Sequence, residues 1–133
     1  MKKNINNYMA TKLVTFSADD DIIHAMRVLL EQHLSGAPVL DDSGNMVGIL
    51  SQKDCLAIVY HTAYHLDLGG KVDEYMNRDV EHIEADSSIL EVAEKFLNSK
   101  YRRFPVLRGD RLVGQISRHD VMRALDEQFL QNL

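Results

Sequence analysis

The chain has 133 residues, 45% of them apolar, and a formal net charge of -5. Its length suits one compact body, or two small halves sharing a core, each half being marginal on its own. The negative charge argues against a nucleic-acid binder, which needs a basic face; the single Cys55 rules out an internal disulfide framework; and no apolar run is long enough to span a bilayer.

Residues 12–16 read as a short extended segment. Asp19, Asp20 and Asp21 place negative charge at a helix start, where it suits the helix dipole. Ile22, Met26, Leu29 and Leu30 form one apolar face at helical spacing, and Ser35-Gly36 stops the helix. Residues 37–40 read as a buried strand with Pro38 near its start, residues 41–45 as a hairpin turn, and residues 46–50 as the returning strand. Ser51 is a natural N-cap for a helix through Lys53, Asp54, Leu56, Ile58 and Val59. Leu68-Gly69-Gly70 reads as a joint, followed by a helical turn over 72–76.

The plan then returns. Residues 80–83 are extended, and Ser88-Ile89-Leu90-Glu91 is a capping box. Ile89, Val92, Ala93 and Phe96 make the apolar face of the next helix. Residues 104–107 and 112–116 form a hairpin turning at Gly109-Asp110. Ser117 caps a last helix carrying Val121, Met122, Leu125 and Phe129, with Gln128, Gln131 and Asn132 at a solvated end.

The two halves repeat in detail. Residues 48–54 (GILSQKD) return as residues 114–120 (GQISRHD) at an offset of 66, and residues 37–40 return as 104–107 at an offset of 67. Tyr8-Met9 matches Tyr75-Met76, and Ala18-Asp19 matches Ala85-Asp86. One residue is lost in the turn between Asp41 and Val47. Two copies of one unit facing each other across an approximate two-fold axis create clefts, where ligands bind.

A Pro-containing strand, a hairpin, then Gly-x-x-Ser-x-x-Asp opening a helix, all duplicated, resembles the cystathionine-beta-synthase (CBS) domain pair, or Bateman module, over residues 8–130. The resemblance implies an α+β fold of tandem β-α-β-β-α repeats about a pseudo-two-fold axis, with residues 1–66 as the first repeat and 67–133 as the second. It implies a regulatory module that binds an adenosyl compound (AMP, ADP or ATP), has no obligate cofactor, does not catalyse, and often forms a homodimer. With no effector domain in this sequence, the output acts on a partner in trans; nucleic acid and membrane are not expected partners. The basic start, residues 1–7, lacks the apolar stretch of a signal peptide, so the expected compartment is the cytoplasm.

The chemistry fits a nucleotide. A carboxylate accepts two hydrogen bonds at once, and a ribose offers two vicinal hydroxyls. Asp54 and Asp120 each lie three residues after the presumed caps Ser51 and Ser117, where a hydroxyl, free N–H groups and the positive dipole end meet phosphate. The family pattern adds Ile49 as an apolar wall for adenine, the backbone of Lys12, Leu13 and Val14, and Ser35, Gly36 and Ala37 just before Pro38. By the same mapping the second site takes Asp79, Val80, Glu81, Gln115, Ser117 and Asp120. Gln115 departs from the usual apolar residue: it either hydrogen-bonds adenine or spoils that slot. Arg102 and Arg103, just before Phe104-Pro105, stand where phosphate-binding side chains are common, and Arg118 completes a local basic set; the matching Ser35 and Gly36 are uncharged.

Plainer roles compete. Asp54 and Asp120 serve equally as first-turn acids, and Arg102 and Arg103 as a solvated pair facing acids such as Glu94. The apolar stripe Leu56, Val59, Tyr60 and Ala63 reads as core or as interface. His61 and His65, at i, i+4 spacing, suggest a metal, but no third ligand is evident. His119 adjoins Asp120 inside the second motif, within reach of a ligand there; His24, His33 and His82 show no partner; Cys55 reads as a packed, inert thiol. The competing function is a ligand-free dimerisation or interaction module. An enzyme finds no support, since no Walker, Gly-x-Gly-x-x-Gly or zinc-ligand pattern is present.

Overall fold

A computed structural model describes residues 5–63 and 68–133. It contains two three-stranded sheets of the same topology. In the first, β1 (Phe16–Ser17) runs parallel to β2 (Gly36–Leu40), which pairs antiparallel with β3 (Met46–Ser51). Helix α1 (Ile22–Glu31) connects β1 to β2, and α2 (Gln52–Thr62) follows β3. In the second, β4 (Ile83–Glu84), β5 (Arg103–Arg108) and β6 (Arg111–Ser117) repeat that order, with α3 (Ile89–Leu97) and α4 (Arg118–Leu125) in the matching places. Each copy is thus β-α-β-β-α. Even the bulge recurs, between Val39 and Leu40 and again between Val106 and Leu107.

Local chemistry accounts for most boundaries. Asp21 caps α1 by accepting from the His24 N–H, and Ser88 and Glu91 form the expected capping box on α3. In the first hairpin Asp41 Oδ1 accepts from the N–H groups of Ser43 and Asn45, both at 2.9 Å. The second hairpin closes on Gly109-Asp110, with Arg108 facing Arg111. Ladder pairing is shorter than expected at the first strand of each copy: residues 12–15 and 80–82 lie outside it, and only Phe16–Ser17 and Ile83–Glu84 pair.

Three expectations need correction. Helix α1 ends at Glu31, before Ser35-Gly36, because His33 turns left-handed at φ 55°. The Leu34 N–H then reaches back to the Leu29 carbonyl at 2.9 Å and the His33 N–H to the Leu30 carbonyl at 3.3 Å, a Schellman stop. Second, Leu30 is exposed; the buried stripe of α1 is Ile22, Ala25 and Leu29, and Met26 is only partly covered. Third, Met122 and Phe129 are exposed, so Val121 and Ala124 are the core residues of α4, with Leu125 packed at their margin.

The chain divides into two compact units that cross the sequence repeats. One is Val14–Val80; its core joins Phe16, Ile22, Leu29, Val39 and Leu50 to Val72 and Met76. The other unites the lead-in through Leu13 with Glu81–Leu133; its core joins Ile5 and Tyr8 to Ile89, Val92, Phe104 and Ile116. Each unit therefore borrows its lead-in from the other repeat's stretch of sequence. The lead-ins dock alike. Ala10 exchanges two backbone hydrogen bonds with Gln115 on β6, and Asn77 exchanges two with Ile49 on β3, all at 2.9 Å. Gly48 and Gly114 make room for this. A Cβ on Gly48 would lie 2.7 Å from the Met76 sulfur and 2.9 Å from the Asn77 carbonyl oxygen; on Gly114 it would lie 2.5 Å from the Met9 sulfur and 2.9 Å from the Ala10 carbonyl oxygen. The boundary at 66/67 lies outside the described residues.

Candidate functional site

Both Gly-x-x-Ser-x-x-Asp motifs fold into a strand end, a cap and a first helical turn. Ser51 caps α2 by accepting from the Asp54 N–H at 3.1 Å. Asp54 Oδ2 in turn accepts from the Ser51 N–H at 3.0 Å and the Ser51 hydroxyl at 2.8 Å. On α4, Ser117 accepts from the Asp120 N–H at 3.2 Å, and Asp120 Oδ2 accepts from the Ser117 N–H at 2.9 Å. Each serine-aspartate pair is a reciprocal capping box. The first-turn role of the aspartates is therefore real, and it occupies one carboxylate oxygen of each. Asp54 Oδ1 accepts no hydrogen bond among the described residues. Asp120 Oδ1 faces Arg123 Nη2 at 3.4 Å.

The strand before each proline runs beside its cap. Gly36 pairs with Ser51, Ala37 with Leu50, and Pro38 with Ile49; Arg103 pairs with Ser117, Phe104 with Ile116, and Pro105 with Gln115. The first helical N–H groups are held across the same seam. Gln52 N–H donates to the Ser35 carbonyl at 2.8 Å, and Arg118 N–H to the Arg102 carbonyl at 3.0 Å. Gly36 is pressed against β3: a Cβ there would lie 3.0 Å from the Leu50 carbonyl oxygen. The two helix entrances consequently differ in charge. At α4 the backbones of Arg102, Arg103 and Arg118 are neighbours, and all three residues are exposed. At α2 the same positions are Ser35, Gly36 and Gln52. Neither Arg102 nor Arg103 forms an ion pair with Glu94 among the described residues.

Burial sorts the remaining site residues. Ala37 and Phe104 are buried in the two cores, so their side chains are spent on packing and only their backbone is available to a ligand. Ile49 and Gln115 are half-buried, and their backbones are already paired to the lead-ins. Val14, Asp79 and Val80 belong to the unit of α2, whereas Lys12, Leu13 and Glu81 belong to that of α4. Glu81 borders an open groove with Glu91, Glu94, Lys95, Asn98 and Ser99 on the α3 side. That groove is acidic and contains neither Ser51 and Asp54 nor Ser117 and Asp120, so it is a poor receptor for phosphate.

The auxiliary residues resolve similarly. Leu56, Val59 and Tyr60 are exposed on α2, which removes that stripe from the core of its unit. Cys55 is half-buried; burial pushes its thiol upward, and the adjacent Asp54 carboxylate adds to the rise. His82 does have a partner: its Nε2 lies 2.7 Å from Glu84 Oε1. His65 lies outside the described residues, and no group of three metal-binding side chains occurs among the described ones. Arg123 escaped the sequence reading, although its i, i+3 spacing from Asp120 on one helix was a usable signal. No described helix is long and apolar enough to cross a membrane.

Comparison with known proteins places these features in context. The family model for the CBS domain matches residues 5–61 and again residues 72–127. CBSX2 of Arabidopsis thaliana, solved in complex with AMP, superposes with a TM-score of 0.77 at 25% identity, covering 93% of this chain and 96% of that one. An uncharacterized 17.7 kDa protein of Acidianus ambivalens is 25% identical over 126 residues, covering 94% of this chain and 74% of its own. The A-adding tRNA nucleotidyltransferase of Geobacter sulfurreducens is 30% identical over 115 residues, 86% of this chain but only 12% of the enzyme.

Proposed function

The chain belongs to the CBS-domain family through both of its halves, and on that premise we propose that it is a regulatory module whose ligand is an adenine nucleotide. The observation that carries the reading is the duplicated capping box. Each box fixes a carboxylate one turn into a helix and commits only one of its oxygens to the cap. The remaining oxygen is an acceptor for ribose hydroxyls, and the helix N-terminus beside it suits phosphate. The AMP complex of CBSX2 supports the choice of ligand.

The charge difference supports separate tasks for the two entrances. The α4 entrance, with Arg102, Arg103 and Arg118, takes the phosphorylated ligand. The α2 entrance, where Ser35, Gly36 and Gln52 stand in place of the arginines, relies on Ile49 and Asp54 to hold the nucleoside part of a ligand of its own. The module senses its ligand and does not turn it over; its output passes to a partner protein, and the exposed stripe of Leu56, Val59 and Tyr60 is the face through which two copies associate.

Titration calorimetry with AMP, ADP, ATP and S-adenosylmethionine tests the reading. At least one of them binds more tightly than about 1 mM, near -4 kcal/mol, raises the melting temperature, and is recovered unchanged. Asp54→Ala and Asp120→Ala each remove a different site. Affinities all weaker than that limit, with no thermal shift, leave the ligand-free interaction module as the function.

A further inference from the structure

Arg123 stands between the Asp120 carboxylate and the docked lead-in of its unit. Its Nη2 donates to the Tyr8 carbonyl at 3.0 Å and reaches Asp120 Oδ1 at 3.4 Å. The guanidinium also lies over the Tyr8 ring, 5.4 Å from its centroid. The Tyr8 hydroxyl donates to Glu127 Oε2 at 2.6 Å, one turn further along the same helical segment. Two residues on, Ala10 pairs with Gln115, which sits opposite Pro105 at the strand end leading to Ser117. One nitrogen thus serves two acceptors, the longer contact being to the carboxylate.

Among the described residues the first copy has no such bridge. At the repeat offset of 66, Arg123 corresponds to Ala57 and Glu127 to His61. The equivalent lead-in tyrosine, Tyr75, donates to the Gly69 carbonyl at 2.6 Å instead. A device present in one copy alone is not required to hold the fold of the repeat.

We propose that Arg123 is a positioning residue that couples occupancy of Asp120 to the docking of residues 5–10. The inference rests on the nucleotide reading above. Ribose hydroxyls donating to Asp120 replace the long Arg123 contact, because a short bond to a charged acceptor outweighs one of 3.4 Å. Nη2 is then committed to the Tyr8 carbonyl, and the lead-in tightens. By reciprocity, a loosened lead-in frees Arg123 to compete for Asp120, and ligand affinity at that site falls.

Amide hydrogen exchange on the full chain, with and without saturating AMP, is the test. Exchange at Tyr8, Met9 and Ala10 slows about fivefold on AMP binding, the low end of ordinary coupling between sites. In Arg123→Met the slowing vanishes while calorimetry still finds AMP bound. Tyr8→Phe, which keeps the ring and removes the donor to Glu127, provides a variant that spares the core; it weakens AMP at the Asp120 site and leaves the Asp54 site unchanged. AMP binding that is lost in Asp120→Ala but never alters the lead-in overturns the coupling alone. So does a slowing that survives in Arg123→Met, or an unchanged affinity in Tyr8→Phe. Failure of the wild type to bind AMP overturns the nucleotide reading for this ligand and the coupling with it.

Discussion

At Cys55, burial and a neighbouring charge act in the same direction on one side chain. The thiol sits directly after the Asp54 carboxylate, on a helix whose inner face it partly lines. Burial is the larger cause of its raised pKa and the Asp54 charge the smaller; both disfavour thiolate. The sign of the pH effect follows. The folded chain keeps this proton to higher pH than the unfolded chain, so the contribution to stability is whole below the ordinary thiol value of 9.0 and is lost as pH rises through the raised one. Urea midpoints of the wild type and Cys55→Ala, compared at about pH 7 and about pH 10, should draw closer at the higher pH. A gap that stays constant or widens contradicts this account. The same residue pair explains why Asp54 is a dual-purpose group. Its Oδ2 holds the helix start, its charge adds to the rise that burial gives the adjacent thiol, and its second oxygen is the one the proposed function leaves for ribose.

The ends of the elements reveal what sequence reasoning reads well. Ser51, Ser88 and Ser117 were legible as caps because the partner acid stands three residues on, and each box forms with that partner. The Gly109-Asp110 turn was legible for the same reason: its chemistry is local. The end of α1 was not, because a histidine occupies a left-handed position that glycine normally marks. Ser35-Gly36 drew the boundary instead, though Gly36 is small for another purpose, its contact with β3. His33 is exposed and makes the Schellman turn at a steric cost of about 1–2 kcal/mol. His33→Gly should therefore raise unfolding stability by about 0.5–1 kcal/mol, less than the full cost because glycine also adds freedom to the unfolded chain. Chemical denaturation measures it; a destabilised variant would mean that the imidazole makes a contact outweighing the backbone strain.

At the scale of the whole chain, the sequence repeat and the spatial unit are different objects. Self-similarity divides the sequence near its middle, and the site motifs were legible on that basis. What pairs with what was not, since a lead-in of a few residues has no periodicity and its partners lie far along the chain. Ala10 meets Gln115, and Asn77 meets Ile49. A matched pair of clues existed in Gly48 and Gly114, whose missing side chains admit Met76 and Met9. The energetic consequence is direct. Val72 and Met76 complete the hydrophobic core around Leu29, Val39 and Leu50, so a fragment ending at residue 66 lacks them and leaves Ile5 and Tyr8 without their own core. A fragment of residues 14–80 keeps the entire cluster. Chains this short bury only about 60% of their unfolded surface, and losing two large core side chains removes about 2–5 kcal/mol apiece. Residues 14–80 should show the more cooperative urea transition and the higher midpoint, with residues 1–66 largely unfolded by circular dichroism. Equal stability of the two fragments, or the reverse order, would mean that the lead-in crosses to the other unit without contributing to its core.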